Sequence, residues 1–160
     1  MTLTVLGCGR WGTFLAGYHC ARHDVMLWGR PGSRSMAALQ EQRKNEYMTL
    51  PDALRLETDL EKALDFAQTV IISISAQQLR TLAGQLQAYP LAGKTFILCM
   101  KGIEAGTGKR LTQVFREEVT QPVGLAVWVG PGHVQDFSAG IPARRAGDDH
   151  HHAEHGAQPG

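Results

Sequence analysis

Leu3-Thr4-Val5-Leu6-Gly7-Cys8-Gly9-Arg10-Trp11-Gly12 decides the fold. A short apolar run ends in three glycines spaced G-x-G-x-x-G, and a helical pattern follows from about Trp11 to Arg22. Glycine is common, so the spacing alone carries little. A strand directly before it and a helix directly after it make it the dinucleotide-binding fingerprint. Each glycine has its own reason. Gly7 permits a tight turn, Gly9 lets the backbone approach a diphosphate, and Gly12 lets the helix pack close to the strand. The helix N-terminus adds unpaired N–H groups and a partial positive charge.

Working outward, strand-like and helix-like runs alternate. Asp24–Trp28 reads as a second strand, and Ser33 can cap a helix running to about Lys44. Leu50-Pro51 breaks the chain, and Leu54–Glu57 fits a short strand. Thr58 or Asp59 can cap a helix over Leu60–Phe66. Thr69–Ile74 is a continuous apolar run, expected of a strand buried on both faces. Ala76 to Ala88 repeats with helical period, Thr95–Cys99 is another buried strand, Thr107 to Glu118 another helix, and Leu125–Val129 a further strand. This alternation predicts an α/β protein: a Rossmann-like, doubly wound parallel sheet, incomplete at its C-terminal side. Residues 1–142 read as one NAD(P)-binding domain. Residues 143–160 contain no Val, Ile, Leu, Met, Phe, Trp, Tyr or Cys but do contain His150-His151-His152. Such a segment is expected to be a disordered tail. Its histidines have metal-ligand chemistry but no frame, so no metal site is expected.

With 160 residues the chain suits one ordinary domain, and 43% hydrophobic content suffices for a core. A net charge of +1 argues against a nucleic-acid partner. No apolar run is long enough for a membrane span, and the first residues lack the basic flank of a signal peptide. Cys8, Cys20 and Cys99 form no spaced framework, which fits reduced thiols and a cytoplasmic location. Small buried residues are the simplest account of them.

An acid about 20 positions after the glycines would grip the ribose hydroxyls of NAD. Here the second strand ends in Trp28-Gly29-Arg30, with Arg34 nearby. Arg30 can accept a 2′-phosphate instead, which leans toward NADP or toward use of both coenzymes; the plain alternative is a solvated loop residue. Lys101 follows a strand, at the sheet edge where ligands bind, and can hold a phosphate or polarise a carbonyl. Gly106-Thr107-Gly108-Lys109 fails both the spacing and the final residue of a phosphate loop, and Thr107 is expected to cap the next helix. Gly130-Pro131-Gly132-His133 ends the last strand, where a turn explains it as well as a site does.

Taken together, these residues resemble the N-terminal domain of NAD(P)-dependent glycerol-3-phosphate dehydrogenase. The resemblance runs through the glycine motif to Thr13, Val25-Met26-Leu27-Trp28-Gly29-Arg30, Leu50-Pro51, Thr58-Asp59-Leu60, Gln77-Gln78-Leu79-Arg80, Met100-Lys101-Gly102-Ile103-Glu104, Gly130-Pro131 and Gly140-Ile141-Pro142. It implies hydride transfer between NAD or NADP and the central carbon of dihydroxyacetone phosphate or sn-glycerol 3-phosphate, in phospholipid-precursor synthesis. It implies that Gly7, Gly9, Arg10, Trp11, Gly12, Arg30, Lys101 and Val134 bind coenzyme, and that Lys101, Gly130 and Gly132 bind substrate. The family carries Pro-Ser where Ser75-Ala76 stand, and a hydroxyl residue where Gly132 stands. The resemblance stops at Pro142, so a change of reading frame or a truncation is the expected origin of the tail. The general acid or base lysine of the family would then lie outside these residues, with little turnover expected. A non-catalytic nucleotide-binding or protein-interaction module, self-associating through exposed faces, stays open as the alternative, as does another Rossmann dehydrogenase.

Overall fold

A computed structural model describes residues 1–128. Six strands form one parallel sheet: β1 (Thr2–Leu6), β2 (Asp24–Trp28), β3 (Arg55–Glu57), β4 (Thr69–Ile72), β5 (Thr95–Leu98) and β6 (Gly124–Val127). Their order is β3-β2-β1-β4-β5-β6, and every pairing is parallel. The helices are α1 (Arg10–His19), α2 (Arg34–Gln42), α3 (Leu60–Phe66), α4 (Leu79–Leu86) and α5 (Leu111–Glu118), with a 3-10 turn at Ala76–Gln78 ahead of α4. The chain winds outward from β1 to β3, returns to the other side of β1, and winds outward again. Right-handed crossovers then put α1 and α2 on one face and α3, α4 and α5 on the other.

Side-chain alternation along the strands builds two cores from this topology. Leu6, Trp28, Val70, Ile72, Phe96 and Leu98 join Ala63, Leu64, Leu82, Val114 and Phe115 in one buried cluster under α3, α4 and α5. The intervening Leu3, Val5, Val25 and Leu27 are buried on the opposite face, where α1 lies over β1 and β2. Two buried polar side chains tie α3 down. Thr4 Oγ1 donates to Ala63 O at 2.6 Å, and Lys94 Nζ donates to Leu64 O at 2.6 Å and Ala67 O at 2.8 Å. The lysine thus satisfies carbonyls at the negative end of the helix.

Several elements are shorter than their sequence patterns. β4 stops at Ile72, not Ile74, because Ser73 N–H donating to Leu6 O is the last rung that β1 can offer. α2 stops at Gln42 because Arg43 turns left-handed (φ 56°), and its guanidinium donates to Pro51 O and Leu54 O. α5 starts at Leu111, not Thr107. Thr107 Oγ1 donates to the Glu104 carboxylate, and Gln113 Oε1 instead accepts from Arg110 N–H at the helix start. Of the two caps proposed for α3, Asp59 performs, accepting from Glu61 N–H and Lys62 N–H. The expectation of a disordered tail over 143–160 lies outside the described residues.

Candidate coenzyme site

The three glycines occupy three different environments. Gly7 has φ +116°, and a Cβ there would stand 2.0 Å from Ser73 O. A Cβ on Gly12 would stand 2.0 Å from Gly7 O. Both contacts are with backbone, so neither position can give way. Gly9 differs: a Cβ on it would meet nothing within 4 Å. The loop is therefore crowded inward at Gly7 and Gly12 and open outward at Gly9, leaving a bare backbone concavity of the kind a diphosphate fills.

Helix α1 starts at this concavity. Gly9 is its N-cap, makes no side-chain cap bond, and no acid occupies the first turn. No acidic side chain of the first turn therefore competes with an anion for the partial positive charge at this end of the helix. Thr13 fixes the loop, its Oγ1 donating to Cys8 O and its N–H to Gly9 O. The donor set thus suits a diphosphate.

Because all six strands run parallel, the residues after β1, β2 and β5 meet at one edge of the sheet. The structure brings Gly7, Gly9, Arg10, Trp11, Gly12, Arg30 and Lys101 to that edge. Arg30 follows directly on β2 and is exposed; no described residue engages its side chain or that of Lys101. Trp11 stacks on Phe14 at 5.6 Å between ring centroids and meets Trp128 at 6.4 Å. Gly130, Gly132, His133 and Val134 lie outside the described residues. The rejected phosphate-loop lookalike is a closed turn, with Gly106 and Gly108 at positive φ and Lys109 paired with Glu117.

A cavity of about 510 Å³ opens beside the glycine loop, lined by Cys8, Gly9, Arg10, Leu39, Lys44 and Tyr47 among others. The Arg10 guanidinium lies 4.4 Å over the Tyr47 ring, an attractive placement. Asn45 Oδ1 accepts from Tyr47 N–H and Met48 N–H, both at 2.9 Å, which braces the loop. Sequence reading missed Lys44, Asn45 and Tyr47. The signal available was an asparagine-braced turn with a cation and an aromatic between a helix and Leu50-Pro51. Their meeting with Arg10 is tertiary and has no local signature.

The cysteines are unpaired. Burial pushes the Cys99 thiol up to about 11 and also raises Cys20, with Arg43 opposing. Among the described residues no three His, Cys, Asp or Glu side chains could hold a metal ion. No described helix is long and apolar enough to cross a membrane.

Comparison with known proteins bears on this site. The profile of the NAD-dependent glycerol-3-phosphate dehydrogenase N-terminus matches residues 2–146. The chain is 36% identical over 152 residues to a glycerol-3-phosphate dehydrogenase [NAD(P)+] of Herminiimonas arsenicoxydans, covering 91% of this chain and 45% of that protein. It is 37% identical over 150 residues to the one of Nitrosomonas eutropha, covering 89% and 44%. Among solved structures, glycerol-3-phosphate dehydrogenase from Coxiella burnetii superposes with a TM-score of 0.78 at 23% identity, covering 88% of this chain and 44% of that one. The chain thus spans less than half the length of the relatives it matches.

Proposed function

The chain belongs to the NAD-dependent glycerol-3-phosphate dehydrogenase family, matching its N-terminal part, and from that premise we propose that residues 1–142 form the coenzyme-holding half of such an enzyme. The reaction is hydride transfer between NAD(P)H and dihydroxyacetone phosphate, or the reverse from sn-glycerol 3-phosphate, serving phospholipid-precursor synthesis. The bound nicotinamide supplies or accepts the hydride.

The chain's own residues divide the remaining work. The Gly7–Gly12 backbone and the α1 N-terminus take the diphosphate. Arg30, aided by Arg34, receives the adenosine ribose or its 2′-phosphate, and Arg10 and Trp11 flank the coenzyme. Lys101, at the carboxyl end of β5, faces both coenzyme and the substrate's anionic group. Gly130 and Gly132 are assigned to substrate and Val134 to coenzyme. The substrate is a small cytoplasmic phosphate ester.

One observation carries this reading: Gly9 alone of the three motif glycines faces open space. A fluorescence titration of the 160-residue polypeptide with NADPH, run beside a dihydroxyacetone phosphate reduction assay, tests it. Saturable binding with little turnover is expected, because general acid–base help is assigned to the relatives' other half. A flat titration contradicts the coenzyme reading, and robust turnover contradicts that division of labour.

A further inference from the structure

We propose that Gln77 and Arg80 are positioning residues for Lys101, acting through a clamp on the loop of residues 101–110. The inference rests on the reading that Lys101 contacts the coenzyme.

The loop is closed upon itself with Glu104 at its centre. Glu104 N–H donates to Lys109 O, and Gly108 N–H donates to Glu104 O, both at 2.9 Å. Thr107 Oγ1 donates to Glu104 Oε1 at 2.7 Å, and Ile103 bridges Arg110. This closed turn joins the sheet edge through Gly102, which has φ +106° and open space where a Cβ would stand. The segment is a small rigid body on a glycine hinge, and the hinge adjoins Lys101.

The clamp removes the freedom of that hinge. Gln77 grips the loop backbone on both sides of Glu104: its Nε2 donates to Ile103 O at 3.1 Å, and its Oε1 accepts from Ala105 N–H at 2.8 Å. Arg80 grips the Glu104 carboxylate itself, with Nε at 2.8 Å from one oxygen and Nη2 at 2.9 Å from the other. Gln77 and Arg80 stand three residues apart, so both reach the same side of their turn. The guanidinium is anchored in turn from α5, by Glu118 at 2.8 Å and Glu117 at 2.9 Å. The charge-assisted contact with Arg80, and then the hydroxyl of Thr107, hold the Glu104 carboxyl down to about 2. Partly exposed ion pairs add little stability. A forked arginine tying one loop to two helices is better suited to fixing geometry.

The test uses the 160-residue polypeptide with Q77A, R80Q and R80K, each alone and combined with K101A. Amide exchange at Ala105 and Gly108 reports the loop, and NADPH titration reports the site. Exchange at both amides should quicken by about tenfold or more in Q77A and R80Q while β1 and β4 amides stay protected. K101A should weaken NADPH binding about tenfold in the otherwise unchanged chain, the size of one charge-assisted contact, and far less in the R80Q background. R80K, which keeps the charge without the fork, should recover part of the coupling. A merely structural Arg80 would lower stability and leave the K101A effect intact, and such additivity overturns the clamp. If K101A leaves NADPH affinity unchanged while the loop still loosens, the reading of Lys101 falls, and the positioning role with it.

Discussion

At Gly9 and Gly12 one substitution has opposite consequences. Gly12→Ala forces a Cβ to 2.0 Å from Gly7 O and is expected to cost about 1–3 kcal/mol by overpacking, read by urea denaturation. Gly7→Ala adds the strain of positive φ, roughly 1–2 kcal/mol more. Gly9→Ala has an extended backbone (φ −73°, ψ −170°) that any residue adopts, and nothing stands in its way. Its stability should shift by less than about 0.5 kcal/mol, while NADPH affinity falls by about tenfold or more. Arg30→Ala should weaken NADPH by about tenfold or more, a charge-assisted hydrogen bond's worth, and change NADH little. The division among the glycines was legible in the motif, because it follows from strand, turn and helix in direct succession. Tyr47 under Arg10 was not: the two are far apart in sequence and meet only once α2 has folded back.

Elements kept the places their apolar period marked, and β4, α2 and α5 are shorter than their patterns. The continuous run Val70-Ile71-Ile72 showed a buried strand; nothing local showed that β1 would offer it no rung beyond Ser73. Thr107 looked like a cap because capping chemistry is local, yet the Glu104 carboxylate outcompetes the helix for its hydroxyl. Lys94, 6% exposed, had no sequence signal, since its partners are carbonyls about 30 residues earlier. Burial lowers its pKa, with Asp65 opposing. Lys94→Met keeps the apolar stem and orphans two carbonyls, so a loss of about 1–3 kcal/mol is expected in chemical denaturation. At the end of α1, burial and then the neighbouring His23 lower the pKa of His19 below 6.5. The unfolded chain binds that proton more readily than the folded one. His19 therefore favours the fold fully above about pH 6.5 and loses that contribution as the pH falls below it. His19→Gln should flatten thermal stability between pH 7 and 5.

For the whole molecule, topology does the assembling. Strand order β3-β2-β1-β4-β5-β6 reverses direction beside β1, and the glycine loop leaves β1 at that switch point, where open parallel sheets bind ligands. Residues separated by as much as Gly7 and Lys101 reach one edge because all six strands point the same way. Alternating apolar runs were sufficient to expect this, since handedness and parallel pairing leave few arrangements. The loop clamp on Lys101 and the braced turn at Asn45 could not be expected, being contacts between connections rather than elements. A ¹H–¹⁵N correlation titration of the 160-residue polypeptide with NADPH measures the central claim most directly. The largest amide shifts are predicted at Gly9, Arg10, Trp11 and Gly12, with a second group at Arg30 and Lys101. Saturating shifts confined to other residues, or no shifts at the glycine loop, would contradict a coenzyme seat on the bare backbone at the head of α1.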